Sequence, residues 1–189
     1  MIRDIRLRGA VLGVALLLGL APLTVSTAAR TEPKTGEDAF VAIAGVLQSP
    51  RCMNCHPVGN APLNGDDSIA HRMNISRDSL KGLQCNTCHR NENGKTPHSP
   101  PGVPNWRLPD PEMPLVFQGH TPRSLCEQIK DPKRNGNRTL SALRDHMDHD
   151  PLVMWGWNPG PGRTLPPLSH TDLMFAVDLW IAKGAPCPN

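Results

Sequence analysis

Cys52-Met53-Asn54-Cys55-His56 and Cys85-Asn86-Thr87-Cys88-His89 are two copies of one five-residue pattern, Cys-x-x-Cys-His, and their reading decides what the rest of the chain folds around. Each copy brings two thiols and an imidazole together within a few residues. That grouping suits covalent haem attachment: the thiols bond to the porphyrin vinyl groups and the adjacent histidine becomes the proximal iron ligand. Two covalently bound haem c groups are therefore expected, one on Cys52, Cys55 and His56, the other on Cys85, Cys88 and His89. A structural zinc module is the competing reading, because two Cys-x-x-Cys pairs can supply four thiolates to a tetrahedral metal. Zinc does not need a histidine after both pairs. The 29 residues between Cys55 and Cys85 also exceed the roughly 15 to 20 of a zinc ribbon.

Upstream of the first motif, Arg3, Arg6 and Arg8 precede an almost unbroken apolar stretch from Gly9 to Leu20, and Ser26-Thr27-Ala28 supplies small residues. This is the layout of a cleavable signal peptide, expected over residues 1–28, with a polar leader over 29–36 and a dihaem domain over 37–189. The apolar stretch is shorter than the roughly 20 residues a membrane-spanning helix needs, so membrane attachment enters only if this segment is retained as an anchor. Asp4 and Ile5 separate Arg3 from Arg6, so there is no twin-arginine pair. Export through the general secretory route to the periplasm is expected.

The chain of 189 residues carries 20 Lys and Arg against 17 Asp and Glu, a formal charge of +3. Cleavage after Ala28 would remove three arginines and one aspartate, lowering the charge to +1. Four ionised haem propionates would then make the mature protein acidic overall. The basic residues are scattered without a stripe or interleaved aromatics, which argues against nucleic-acid binding. There is no Tyr, only three Phe and four Trp, while Pro and Gly together number 37. So little aromatic material predicts that buried porphyrins complete the core, and that cofactor binding supplies folding free energy.

Glu37 to Leu47 places Phe40, Ala44 and Leu47 at helical spacing, and Ser49-Pro50 is expected to stop that helix just before Cys52. Pro57 to Asp67 and Asn91 to Pro114 read as loop, the latter with a Pro100-Pro101-Gly102 turn and Trp106 as its one large side chain. Trp106 is a candidate to lean on a porphyrin or to anchor its loop. Thr121-Pro122 reads as an N-cap with proline at the first helical position, opening a helix to Lys130 that Asp131-Pro132 ends. A second helix is expected from Thr139 to His149. Ser169 with Asp172 resembles an acidic capping box before a helix over Leu173 to Lys183, and Gly184 terminates it. No convincing strand and no internal repeat is found. The fold expected is mostly α: a small dihaem cytochrome c with short helices and long Pro/Gly-rich loops around two haems.

Cys126 and Cys187 remain once the motif cysteines are assigned, and in an exported protein such a pair is expected to form a structural disulfide. Six histidines remain for the sixth iron position: His71, His98, His120, His146, His149 and His170. His71, between the two motifs, is the first choice, since it can fold back over either iron. On a helix at about 100° per residue from Leu140, Leu143 falls at about 300°, Met147 at about 340°, His146 at about 240° and His149 at about 180°. His146 thus borders the apolar face and is the second choice. His149 points away and suits the helix C-terminus as a charge. Met147 lies within the apolar face, where packing is its ordinary role, although a thioether ligand would raise a haem potential. His98, His120 and His170 look like turn or capping residues, and Met73 and Met154 are further candidates.

Three stretches carry a resemblance: Arg51 to Asp67 (RCMNCHPVGNAPLNGDD), Cys126 to Gly136 (CEQIKDPKRNG) and His146 to Trp157 (HMDHDPLVMWGW). Together they resemble small dihaem proteins labelled isoquinoline 1-oxidoreductase subunits, over most of the chain that follows the signal segment. The resemblance implies electron transfer from a molybdenum hydroxylase, an enzyme that inserts a water-derived oxygen and must discharge two electrons. The chain itself has no molybdopterin, iron-sulfur or flavin motif, so it would serve such an enzyme as a partner. The expectation is an electron-transfer protein rather than an enzyme, passing electrons between an oxidoreductase donor and a respiratory or cytochrome acceptor. His56 and His89 are the expected proximal ligands and His71 and His146 the distal ones. A dihaem peroxidase-like enzyme with one open iron position is the rival reading.

Overall fold

Hydroxyl and carboxylate side chains set where the helices of this chain begin, each accepting a hydrogen bond from a backbone N–H that no earlier carbonyl can reach. The computed structural model describes residues 32–77 and 84–189. The expected signal peptide, 1–28, and residues 29–31 of the expected leader lie outside the described residues. Thr35 accepts from Asp38 N at 3.0 Å and opens α1, Gly36–Leu47. α1 ends ahead of Ser49-Pro50, as expected, and Pro50 then opens a further single turn, α2, Pro50–Met53. Proline's fixed φ and missing N–H suit the first helical position, so Cys52 rides on a helical turn rather than on a loop.

Thr121 caps α3, Pro122–Lys130, and Thr139 caps α4, Leu140–His149, each through its hydroxyl. Asp150 then ends α4 and, by accepting from Leu152 N at 2.8 Å, opens the short α5, Pro151–Met154, which runs into a 3-10 turn at Trp155–Trp157. Neither α5 nor this turn is expected from the sequence. Ser169 accepts from Asp172 N at 3.1 Å and starts α6, His170–Ala182, three residues ahead of the expected Leu173. Gly184 turns the chain with φ 83°, allowing Ala185 N to bond back to Trp180 O at 2.8 Å.

The core lies where α1 packs on α6 and α3, and α4 packs on α6. Phe40 and Trp180, both fully buried, meet with ring centroids 4.9 Å apart. Ile43, Leu125, Ile129, Leu143, Leu173 and Val177 fill the space around them. Arg144 on α4 reaches Asp178 on α6 at 2.9 Å and Asp148 on its own helix at 2.5 Å. The Cys126–Cys187 disulfide ties α3 to the C-terminal tail across a sequence separation of 61. Closing a loop of that length stabilises by up to about 4 kcal/mol.

The rest is extended chain and turn. Where no strand was expected, β1 (Leu63–Asn64) pairs antiparallel with β2 (Ile69–Ala70), Leu63 opposite Ala70, closing the hairpin that carries His71 away from the first motif. With only two residues per strand, it offers too little alternation to be read from sequence. Among the described residues no helix is long and apolar enough to cross a membrane.

Candidate haem sites

The first motif is held against the helical core. Cys52 sits on α2 and Cys55 in the turn that follows, both as free thiols. His56 donates its Nδ1–H to Leu115 O at 2.8 Å, with Pro114 O at 3.3 Å, and its ring stacks on Phe117 at a centroid separation of 4.0 Å. A carbonyl can only accept, so the proton belongs on Nδ1 and Nε2 keeps its lone pair. Donation of the second ring N–H to a backbone carbonyl is how metal-ligating histidines are commonly oriented. Phe117 N bonds to His56 O at 2.8 Å, so the same strip of chain grips the backbone and the ring. Burial pushes the Cys52 thiol up to about 12 and Cys55 up to about 11, and holds His56 down at about 4. Apolar surroundings disfavour the charged form of every group in the motif.

Beside these three residues lies a cavity of about 530 Å³, walled by Leu47, Leu115, Phe117 and Leu143 and by both His146 and Met147. That is within the roughly 300 to 1,000 Å³ of ligand pockets. Arg51 lines it too, with a side chain only 2% exposed. Its Nη2 donates to Gly65 O at 3.2 Å and pairs with Asp66, while its Nε is buried with no partner. An orphaned guanidinium donor in an apolar wall fits an anionic edge on the occupant, as porphyrin propionates present.

The second motif is built from loops. Cys85–Thr87 form a 3-10 turn, Cys85 is half-buried and Cys88 exposed. His89 repeats the pattern of His56, donating Nδ1–H to Pro101 O at 2.8 Å, here with Trp106 stacked on its ring at 4.5 Å and 3°. The turn expected at Pro100-Pro101-Gly102 does not form: the segment that supplies the carbonyl is irregular chain between turns at 97–98 and 104–105, and it packs closely, for a Cβ on Gly102 would run into the backbone oxygens of Arg90 and Glu92. A shallower pocket of about 350 Å³ opens beside Cys85 and Trp106. The two cavities share one wall, Arg107 to Asp110.

The histidines separate cleanly. His71 lies over His89 with ring centroids 6.1 Å apart, and its Nδ1 is buried without a partner. His71 thus neighbours the histidine of the second motif. His146 shares the first cavity with His56, its Nδ1 3.3 Å from Asp150 Oδ2. Burial is the leading cause that lowers the pKa of His71, His89 and His146 alike. His149 is exposed and pairs with Asp145 at 3.0 Å near the end of α4. His98 sits in a turn at φ 62°, His120 bonds Ser124 Oγ at 2.9 Å, and His170 bonds Met147 O at 3.1 Å. Met73 is 78% exposed and Met154 lies at the surface.

Among the described residues no three Cys, His, Asp or Glu side chains converge as a metal-ion cage. Sequence reasoning missed Arg51, Asp66 and Trp155. Arg51 could have been found from its position, one residue ahead of the first motif cysteine. Asp66 and Trp155 reach the site only through tertiary contacts. Comparison with protein-family models, curated proteins and solved structures gives no match.

Proposed function

We propose that this chain is a periplasmic dihaem c-type cytochrome that transfers electrons between an oxidoreductase and a respiratory or cytochrome acceptor. The observation that carries the reading is shared by both motifs: a histidine whose Nδ1–H is spent on a backbone carbonyl at 2.8 Å, beside two free thiols and a cavity. When bound, haem iron supplies one-electron redox chemistry without requiring a substrate or a proton.

The chain's own residues do the rest. His56 and His89 present Nε2 as proximal ligands, fixed in tautomer and ring orientation by Leu115, Pro114 and Pro101. His71, beside His89, and His146, in the cavity of His56, would supply the second ligands. Leu47, Phe117 and Leu143 keep water from the first site. The neighbouring charge of Arg51 is fixed by Asp66. The second site opens to solvent through the exposed Cys88 and serves as the face toward a redox partner. A molybdenum hydroxylase, implied by the resemblance above, is the proposed donor, and the N-terminal signal segment is the support for a periplasmic location.

Potentiometric titration of the exported protein, followed in the visible α-band, tests the proposal. Two one-electron steps, low-spin spectra at both sites and no hydrogen peroxide turnover are expected. A high-spin site that consumes peroxide would replace this reading with the peroxidase one.

A further inference from the structure

We propose that Trp106 and Trp155 form the electronic contact between the two sites, an inference that rests on the dihaem reading. Trp106 lies flat on the His89 ring, centroids 4.5 Å apart, while its other contact is edge-on with Trp155 at 4.9 Å and 83°. Trp155 in turn walls the first cavity together with Cys52, Cys55 and His56. An unbroken line of aromatic contacts thus runs from one motif's histidine to the other motif's cavity. Edge-to-face packing at this distance is the ordinary contact geometry of aromatic rings, so no gap interrupts the line.

The orientation of Trp155 is fixed from the other site. Its Nε1–H donates to Asn93 Oδ1 at 2.8 Å, and the same oxygen accepts from Gly102 N, next to the Pro101 carbonyl that holds His89. Asn93 Nδ2 then donates to Asn158 O at 2.7 Å, just past the 3-10 turn that carries Trp155. One asparagine therefore couples the placement of Trp155 to that of the second motif. The Arg51 guanidinium stands 6.0 Å from the Trp155 ring centre, where its positive charge opposes removal of an electron from the indole.

The indoles therefore act as a medium and not as stations. In the step they support, one electron leaves a ferrous centre, which becomes ferric, and arrives at a ferric centre, which becomes ferrous. No bond forms or breaks, no proton moves, and neither indole is oxidised. Electronic coupling declines steeply across solvent or loosely packed saturated groups, and the paired rings fill that space with polarisable π systems.

The test compares Trp106→Leu and Trp155→Leu with the unaltered protein, all matured in the periplasm, with haem counted on each. Intramolecular electron exchange is read from the broadening of haem methyl resonances in half-reduced samples, and the potentials are measured in parallel. The expected result is exchange slowed by about tenfold in each variant at full haem loading and unchanged potentials. A purely structural role for the indoles would alter loading or stability and leave exchange intact, and unchanged exchange in both loaded variants overturns the proposal. If leucine prevents maturation, the double variant Trp106→Phe/Trp155→Phe keeps aromatic packing while shortening both rings, and slowing of about threefold is expected. Unchanged exchange there overturns it equally. Absence of two haems from the unaltered protein would instead overturn the dihaem reading itself.

Discussion

The two Cys-x-x-Cys-His motifs carry the same chemistry in opposite settings. The first begins on a helical turn against the packed α1, α3 and α4, and its thiols and imidazole are all shifted strongly toward their neutral forms. The second is suspended between a 3-10 turn and an irregular proline segment, with Cys88 exposed and a cavity about two-thirds as large. What the two share is the carbonyl that orients each histidine. In the proposed reading five residues specify attachment, while dielectric, cavity and solvent access come from the elements around them, so one chain would offer a protected centre and an accessible one.

The sharpest way to break that comparison is to delete each attachment site in turn. Cys52→Ser/Cys55→Ser should leave a large void beside the core and cost about 3 to 5 kcal/mol in chemical denaturation, as large core truncations do. Cys85→Ser/Cys88→Ser should cost about 1 to 2 kcal/mol, because the second site adds little to the helical core. Equal losses would mean that the sites are not energetically distinct. Cys126→Ser/Cys187→Ser should lower stability by up to about 4 kcal/mol, without changing the visible spectrum of the second site.

Acid titration sharpens the contrast further. With the first pair replaced by serine, His56 is free to titrate: unfolded, it takes a proton below about 6.5, but folded only below about 4. Between those values the unfolded chain holds more protons, so stability falls as pH drops through that window and levels off beneath it. The total is about 3 kcal/mol. Urea melts across that range measure it, and a flat profile would show that His56 is not enclosed as described. The smallest stability effect belongs to His71→Ala, at about 0.5 kcal/mol or less. Its signature is spectroscopic instead, a low-spin to high-spin change confined to the second site.

The readability of this chain from sequence follows the locality of the physics. Thr121-Pro122 and Ser169 act on backbone groups three residues away, and both caps are found where they were read, while Thr139, expected to begin a helix, caps it. The disulfide between Cys126 and Cys187 forms as expected. His71 and His146 each lie with one motif histidine, yet which one depended on the hairpin Leu63–Ala70 and the course of α4, and no local pattern encodes that. Ser49-Pro50 ends α1 as expected, but the turn α2 that Pro50 opens was not foreseen, because proline that stops one helix is equally suited to begin another. Arg51, Asp66 and Trp155 acquire their roles from partners 15 or more residues distant, such as Asn93 for Trp155, and stayed invisible for that reason.

The most direct test of the account is the intact mass of the exported, mature chain together with its pyridine haemochrome, since both report covalent haem and neither depends on activity. The account predicts a chain beginning at Ala29 that carries two haems, falling to one when either cysteine pair is replaced by serine. A mature chain with no covalent haem would contradict it.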